Sequence, residues 1–323
     1  SGWAMSMRSL FEPPPSFDRA SLARTLKRLA AGGVYLGTSS WKYPGWIGQV
    51  YSPERYLTRG RFSQRRFETS CLAEYAETFP IVCGDFSFYQ FPSEDYWRRL
   101  FHSAPASLLY ALKAPEDVTV KVFPGHARYG ARAGAENPSF LNAALFQDAF
   151  LGLLEPYRRQ TAVLIFEFGT FSRRSYTSGG AFLADLDRFL GALPEDWRYS
   201  VEIRNPEYVG KEYFSCLRAH GVAHVFNAWT RMPELGRQIE TPGAFTADFS
   251  VVRALLRRGR SYEQAVKAFE PYERVQEVNT GAREAMRSVA RRARETRQPA
   301  FLFVNNRLEG NAPLTTQAIV EEQ

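Results

Sequence analysis

In the run Val201-Glu202-Ile203-Arg204 two charges stand two residues apart in otherwise apolar surroundings. On an extended strand that spacing puts both side chains on one face, where the guanidinium holds the carboxylate ionised. Glu202 can then serve as a base or ligand, or the pair can close a barrel layer as an internal ion pair. Both readings stand. Glu167 lies between Phe166 and Phe168, and an apolar setting would raise its pKa toward that of a usable general acid; the alternative is a carboxylate capping a loop. Lys113 ends an apolar run. Its first expected role is anion binding, and its second, if desolvated, is that of a base or imine-forming amine. Glu202, Glu167 and Lys113 are therefore the expected catalytic residues.

The expected ligand-binding set is Arg204, Asp85, Tyr89, Trp41, Asn305, Asn306, Arg253 and His224. The amides of Asn305 and Asn306 can orient sugar hydroxyls or phosphate oxygens, or cap the turn that follows. Trp41, Trp46, Tyr43 and Tyr89 can form an aromatic wall for stacking a sugar or a base, or can plug the opening. A histidine inside an apolar strand, as His224 is, serves more often as a hydrogen-bonded core residue than as a catalyst. With four histidines and no Cys-x-x-Cys spacing, no transition-metal site is expected. Mg²⁺ held by Asp85, Glu167 and Glu202 has no motif behind it. No cofactor is expected, and Gly32-Gly33 precedes a strand instead of opening a helix after one, which excludes a nucleotide-cradling loop.

Positioning these residues falls to eight short β-branched or aromatic runs: Val34–Thr38, Ile81–Phe86, Leu108–Lys113, Ala162–Phe168, Tyr199–Ile203, Ala223–Asn227, Ala244–Phe249 and Phe301–Val304. Helical patterns alternate with them at Ser63–Phe79, Phe140–Tyr157, Gly180–Leu190, Glu212–His220 and Ala282–Thr296. This is the pattern of an α/β fold, a TIM-like (β/α) eight-stranded parallel barrel, with an extra N-terminal helix over Arg19–Ala30 and long mouth loops. Strand-end side chains of such a barrel converge on its C-terminal mouth. The seventh strand has the weakest signal, because Thr230–Gly243 contains two prolines and two glycines and shows no clear helix. Loop Ala114–Pro138, with Lys121, His126, Arg128 and Arg132, should lie at the mouth.

Residues 1–16 read as a flexible tail or expression remnant and residues 17–323 as one barrel domain. At 45% hydrophobic and 23% charged residues the chain can build a buried core, so disorder is excluded. A net charge of +7 favours anionic partners, although Arg291, Arg292, Arg294 and Arg297 can equally line a solvated helix face. Three unpatterned cysteines fit a reducing, cytoplasmic compartment. No apolar run reaches the length of about 18 residues that spans a bilayer, so no membrane partner is expected. The oligomeric state is not legible.

Five segments resemble the YecE-like family, also called domain of unknown function 72, over roughly residues 34 to 320. They are Gly37-Thr38-Ser39-Ser40-Trp41 with Tyr43 and Trp46, Phe88-Tyr89 with Pro92 and Trp97, the strand-end Lys113, Glu202-Ile203-Arg204, and the closing Asn305-Asn306. The resemblance implies an α/β barrel and no established enzymatic activity. The sequence departs from the family's commoner pattern at Cys83, where many members carry Glu, at Val120, where they carry His, and at Glu167, where they carry Gln.

Three functions compete. One is an enzyme of hydrolase, lyase or isomerase type acting on a small anionic or carbohydrate-like substrate, with Lys113, Arg204 and Arg253 on the anion and Glu202 and Glu167 sharing base and acid roles. Another is nucleic-acid binding or processing along the basic loop. The third is a noncatalytic interaction barrel, which predicts an exposed apolar surface rather than a polar cavity.

Overall fold

The computed structural model describes residues 16–321. Apart from Ser16, the expected tail lies outside the described residues. Eight parallel strands close into a barrel: β1 (Val34–Ser39), β2 (Ile81–Gly84), β3 (Leu109–Lys113), β4 (Thr161–Glu167), β5 (Tyr199–Glu202), β6 (Ala223–Ala228), β7 (Ser250–Ala254) and β8 (Ala300–Val304). β1 pairs with both β8 and β2, which leaves the barrel without an edge. Helices cover the outside: α1 (Arg19–Ala31), α2 (Gln64–Tyr75), α3 (Glu94–His102), α4 (Gly179–Gly191), α5 (Lys211–Ala219), α6 (Leu235–Glu240), α7 (Tyr262–Phe269), α8 (Thr280–Thr296) and α9 (Ala312–Glu321). Between β3 and β4, residues 143–154 are helical, with a π turn at Gln147–Leu151. No described helix is long and apolar enough to cross a membrane.

Strand alternation sorts the core into two compartments. Leu164, Phe166, Phe168, Val201, Phe226 and Leu302 face the helices. Ile81, Cys83, Ala111, Val163, Ile165, Val225, Val251, Phe301 and Phe303 fill the barrel interior. One step further along the inward rows stand Lys113, Glu167, Glu202, Asn227, Arg253 and Asn305, all buried except Glu167, which is mostly so. The interior is thus apolar at its base and charged at its C-terminal end.

The seventh strand differs from expectation. Residues 244–249 are not a strand; β7 begins at Ser250. The reason is Thr246, whose Oγ1 accepts from His224 N (3.0 Å) and donates to Val222 O (2.7 Å), so a side chain takes the pairing that a ladder would have made along β6. Phe249 still packs inside the barrel, and a short α6 occupies the segment where the helix signal was poor.

The Gly-Thr-Ser-Ser turn after β1 has a specific architecture. A Cβ on Gly37 would sit 2.1 Å from Ile81 O, so only glycine lets β1 approach β2 this closely. Thr38 N donates to the Tyr75 hydroxyl (2.9 Å), which donates to Ile81 O (2.8 Å). Ser40 is held in left-handed backbone (φ 70°) by its own N–H on Cys83 O (2.6 Å) and by Thr38 Oγ1 on its carbonyl (2.6 Å). Gly37→Ala must push the backbone of β2 aside and is expected to destabilise the protein by about 2–3 kcal/mol; an unchanged urea midpoint would contradict this close approach.

Candidate functional site

At the C-terminal end of the barrel a cavity of about 270 Å³ is lined by residues from nearly every strand end. Its floor is an ion network. Arg253 Nη1 donates to Glu202 Oε1 (2.6 Å) and Glu167 Oε1 (2.8 Å). Arg204 Nη2 donates to Glu202 Oε2 (2.7 Å) and Glu167 Oε1 (2.9 Å), and its Nε also reaches Glu202 (3.1 Å). Lys113 Nζ lies 2.5 Å from Asp85 Oδ1 and 3.5 Å from Glu167 Oε1. These contacts come from β2, β3, β4, β5 and β7, so only the closed barrel assembles them.

The network settles the charge states. Burial opposes ionisation of Glu167, and Lys113, Arg204 and Arg253 together outweigh it, holding the carboxyl well below the usual glutamate range. The expectation of a raised pKa is thus reversed: Phe166 and Phe168 point outward to the helices, and Glu167 points inward among cations. Burial likewise opposes the charge on Lys113, but Glu167 and Asp85 outweigh it and the repulsion of Arg253, raising the pKa above its ordinary value. A neutral, imine-forming amine is disfavoured there. Glu202 is fully buried beneath the cavity, saturated by two guanidinium groups, which is the geometry of the internal ion pair.

Both hydrogen bonds to Glu167 fall on Oε1, which is also the oxygen 3.5 Å from Lys113, and Oε2 has no hydrogen-bond partner among the described residues. Arg307, which also lines the cavity, has no carboxylate within ion-pair distance among the described residues. It donates to Asn305 Oδ1 (3.2 Å) and the Tyr262 hydroxyl (3.2 Å), stacks on Tyr262 (4.5 Å), and keeps a buried, unpartnered Nε. Arg204 stacks on Trp229 at 3.8 Å. Arg307, Trp229 and Tyr262 were not expected from the sequence. The available signal was a cation immediately after the Asn-Asn pair, on the first turn after β8.

Of the expected binding residues, Arg204, Asp85, Tyr89, Asn305 and Arg253 line this cavity with Lys113 and Glu167. Three do not. Trp41 is buried behind the wall, stacked on Phe86 at 4.9 Å, and Trp46 is buried too, so of the expected aromatic wall only Tyr43 and Tyr89 face the cavity. Asn306 is a brace: its Oδ1 accepts from Trp46 Nε1 (3.0 Å) and Ala312 N (2.8 Å). His224 points outward from β6 toward α5, where Nδ1 bonds the Tyr213 hydroxyl (2.9 Å) and burial pushes its pKa down to about 3, leaving it neutral.

The basic loop is largely self-satisfied. Arg128 bonds Glu116 (2.8 Å) and stacks on Tyr89 and Tyr129, Arg132 bonds Asp117 (3.2 Å), Lys121 lies 3.7 Å over Tyr176, and His126 caps the turn through Nδ1.

Two outcomes follow from the floor. Glu202→Ala leaves Arg204 and Arg253 short of a buried counter-charge and is expected to cost about 3–5 kcal/mol in chemical unfolding. Because the folded-state pKa of Glu167 is depressed, its contribution is complete above its unfolded value and is lost as pH falls below about 4.5 toward the folded value. Wild-type stability is therefore expected to fall more steeply below that pH than the stability of Glu167→Gln. Parallel acid profiles of the two proteins would disprove the assignment.

No curated protein matches the sequence. Solved structures do. A DUF72 family protein from Thermotoga maritima MSB8 superposes with a TM-score of 0.59 at 18% identity, covering 90% of this chain and 98% of that one. A DUF72 family protein from Enterococcus faecalis V583 also superposes at 0.59, with 14% identity over 89% and 95% of the two chains. At such identities the likeness establishes the fold. The family model described as a protein of unknown function, DUF72, matches residues 35–322, and on that match the chain belongs to the DUF72, or YecE-like, family.

Proposed function

We propose that the barrel mouth binds a small, hydroxyl-bearing anion, of the sugar-phosphate or sugar-acid class, and acts on it through fixed charges. One observation carries this reading. Glu167 is held ionised through one oxygen while, among the described residues, its other oxygen has no hydrogen-bond donor and can accept a ligand hydroxyl, and Arg307 on the same cavity has no carboxylate partner among them. Across Asp85, Glu167, Glu202, Lys113, Arg204, Arg253 and Arg307 there are four cations and three carboxylates, so one added negative charge balances the mouth. A volume of about 270 Å³ is just under the lower limit of roughly 300 Å³ for drug-sized ligand pockets, which suits a small metabolite.

The acid–base scheme expected from the sequence changes accordingly. Glu202 has no access to the cavity, and Glu167 is too strongly ionised to donate a proton at neutral pH. The chemistry that fits is electrostatic: the Lys113 ammonium beside developing negative charge, with Glu167 as acceptor for a substrate hydroxyl. The nucleic-acid reading draws no support from the loop cations, which are engaged at home, nor does a partner-surface reading from a cavity so rich in charge.

Calorimetry with glucose 6-phosphate, gluconate and neutral glucose tests the proposal. At least one anionic probe is expected to bind more tightly than glucose. Arg307→Gln is expected to weaken that binding about 10- to 100-fold, the worth of a charge-assisted hydrogen bond. Equal affinity for glucose and the anions, or an Arg307→Gln protein that binds as wild type does, would sink it.

A further inference from the structure

Far from the mouth, on the outer helix layer, three metal-ligating side chains converge: Asp187 from α4, Cys216 from α5 and His220 just past its end. Cys216 and His220 are four residues apart, so they project from the same face of one helix. His220 Nε2 lies 2.7 Å from Asp187 Oδ1, and Cys216 Sγ lies 4.0 Å from the same oxygen. No two of the three ligand atoms are more than 4.8 Å apart. Tetrahedral zinc, with bonds of about 2.0–2.3 Å, places its ligand atoms roughly 3.3–3.6 Å from one another. Side-chain adjustments of about an ångström would therefore close a site here.

The surroundings favour a metal over a simple ion pair. The imidazole is seated against the end of α4, beside Gly191. The neighbouring arginines are turned to other partners, Arg188 to Asp185 and Arg218 to the Gly243 carbonyl. A thiolate, an imidazole and a carboxylate make a donor set suited to zinc and its near neighbours, not to Mg²⁺ or Ca²⁺.

We propose that Asp187, Cys216 and His220 form a three-ligand site for Zn²⁺ or a similar divalent transition metal, clasping α4 to α5 with the fourth position open to solvent. It runs against the expectation of no metal, which rested on linear spacing and did not join a residue on α4 to two on α5. The site is independent of the ligand proposed for the mouth.

Cobalt gives a direct readout. Cys71 and Cys83 are fully buried in the core, so a thiolate-to-cobalt charge-transfer band in the near ultraviolet reports on Cys216. Chelator-treated protein titrated with Co²⁺ is expected to develop that band at one equivalent, and Cys216→Ser is expected to abolish it. In competition titrations with Zn²⁺, His220→Gln and Asp187→Asn should each weaken affinity at least about tenfold. All three positions are partly or largely exposed, and melting of the metal-free variants checks that they fold. Absence of the band up to about 1 mM Co²⁺, its persistence in Cys216→Ser, or unchanged Zn²⁺ affinity in His220→Gln would overturn the site.

Discussion

Charge neutrality inside the barrel is the constraint on which the rest of the mouth depends. Lys113, Arg204 and Arg253 are set against Asp85, Glu167 and Glu202, and taking such groups out of water costs several kcal/mol per ion. That cost is offset only when each ion finds opposite charge at close range with its hydrogen bonds made. The strand register supplies this: Glu167 and Glu202 stand opposite one another on β4 and β5, and Arg253 reaches both from β7 across the interior. A register slip of one residue on β4 would turn Glu167 out among the helices and leave cations unpaired in the core. The ion layer therefore selects the same strand register that the apolar layers below it require.

Above this floor the site gains its polarity from the residues that follow the strands. Asn305 connects the two levels, since its Oδ1 accepts from both the backbone and the side chain of Arg307. Asn306 ties the end of β8 to Trp46 and to the start of α9. The left-handed Ser40 and the Thr38–Tyr75–Ile81 chain fix the adjoining rim, after β1, which pairs with β8. Backbone strain of this kind costs of order 1–3 kcal/mol and persists where the surroundings over-determine it. Here it holds the β1 turn at the edge of the cavity.

Much of this was legible in the sequence, because inward and outward rows of a parallel barrel alternate with a period of two. Val201-Glu202-Ile203-Arg204 could be assigned to one face from spacing alone, and the contact between Glu202 and Arg204 follows from it. The same rule, applied to Phe166-Glu167-Phe168, separates the carboxylate from its neighbours in sequence; treating those rings as its environment is what gave the wrong direction for its pKa. His224 belongs to the outward row of β6 for the same reason. Other features had no linear signature. Thr246 replaces a strand by a side-chain bridge, Arg307 gains meaning only once Tyr262 and Asn305 surround it, and Asp187 meets Cys216 and His220 only through packing of adjacent helices.

The residue on the inward row of β2 can be read through the same constraint. Cys83 sits on an inward row of β2, fully buried, with Arg253, Lys113 and Glu202 among the charges that act on it. A carboxylate at that position would face the cations that Glu167 now neutralises. The carboxylates of the layer therefore stand on β4 and β5, side by side at Glu167 and Glu202, while the inward position on β2 is left to a thiol whose pKa is raised by burial. On this argument, the choice of a thiol on β2 and a carboxylate on β4 decides where the anionic acceptor stands at the mouth, and with it which face of a ligand it can meet.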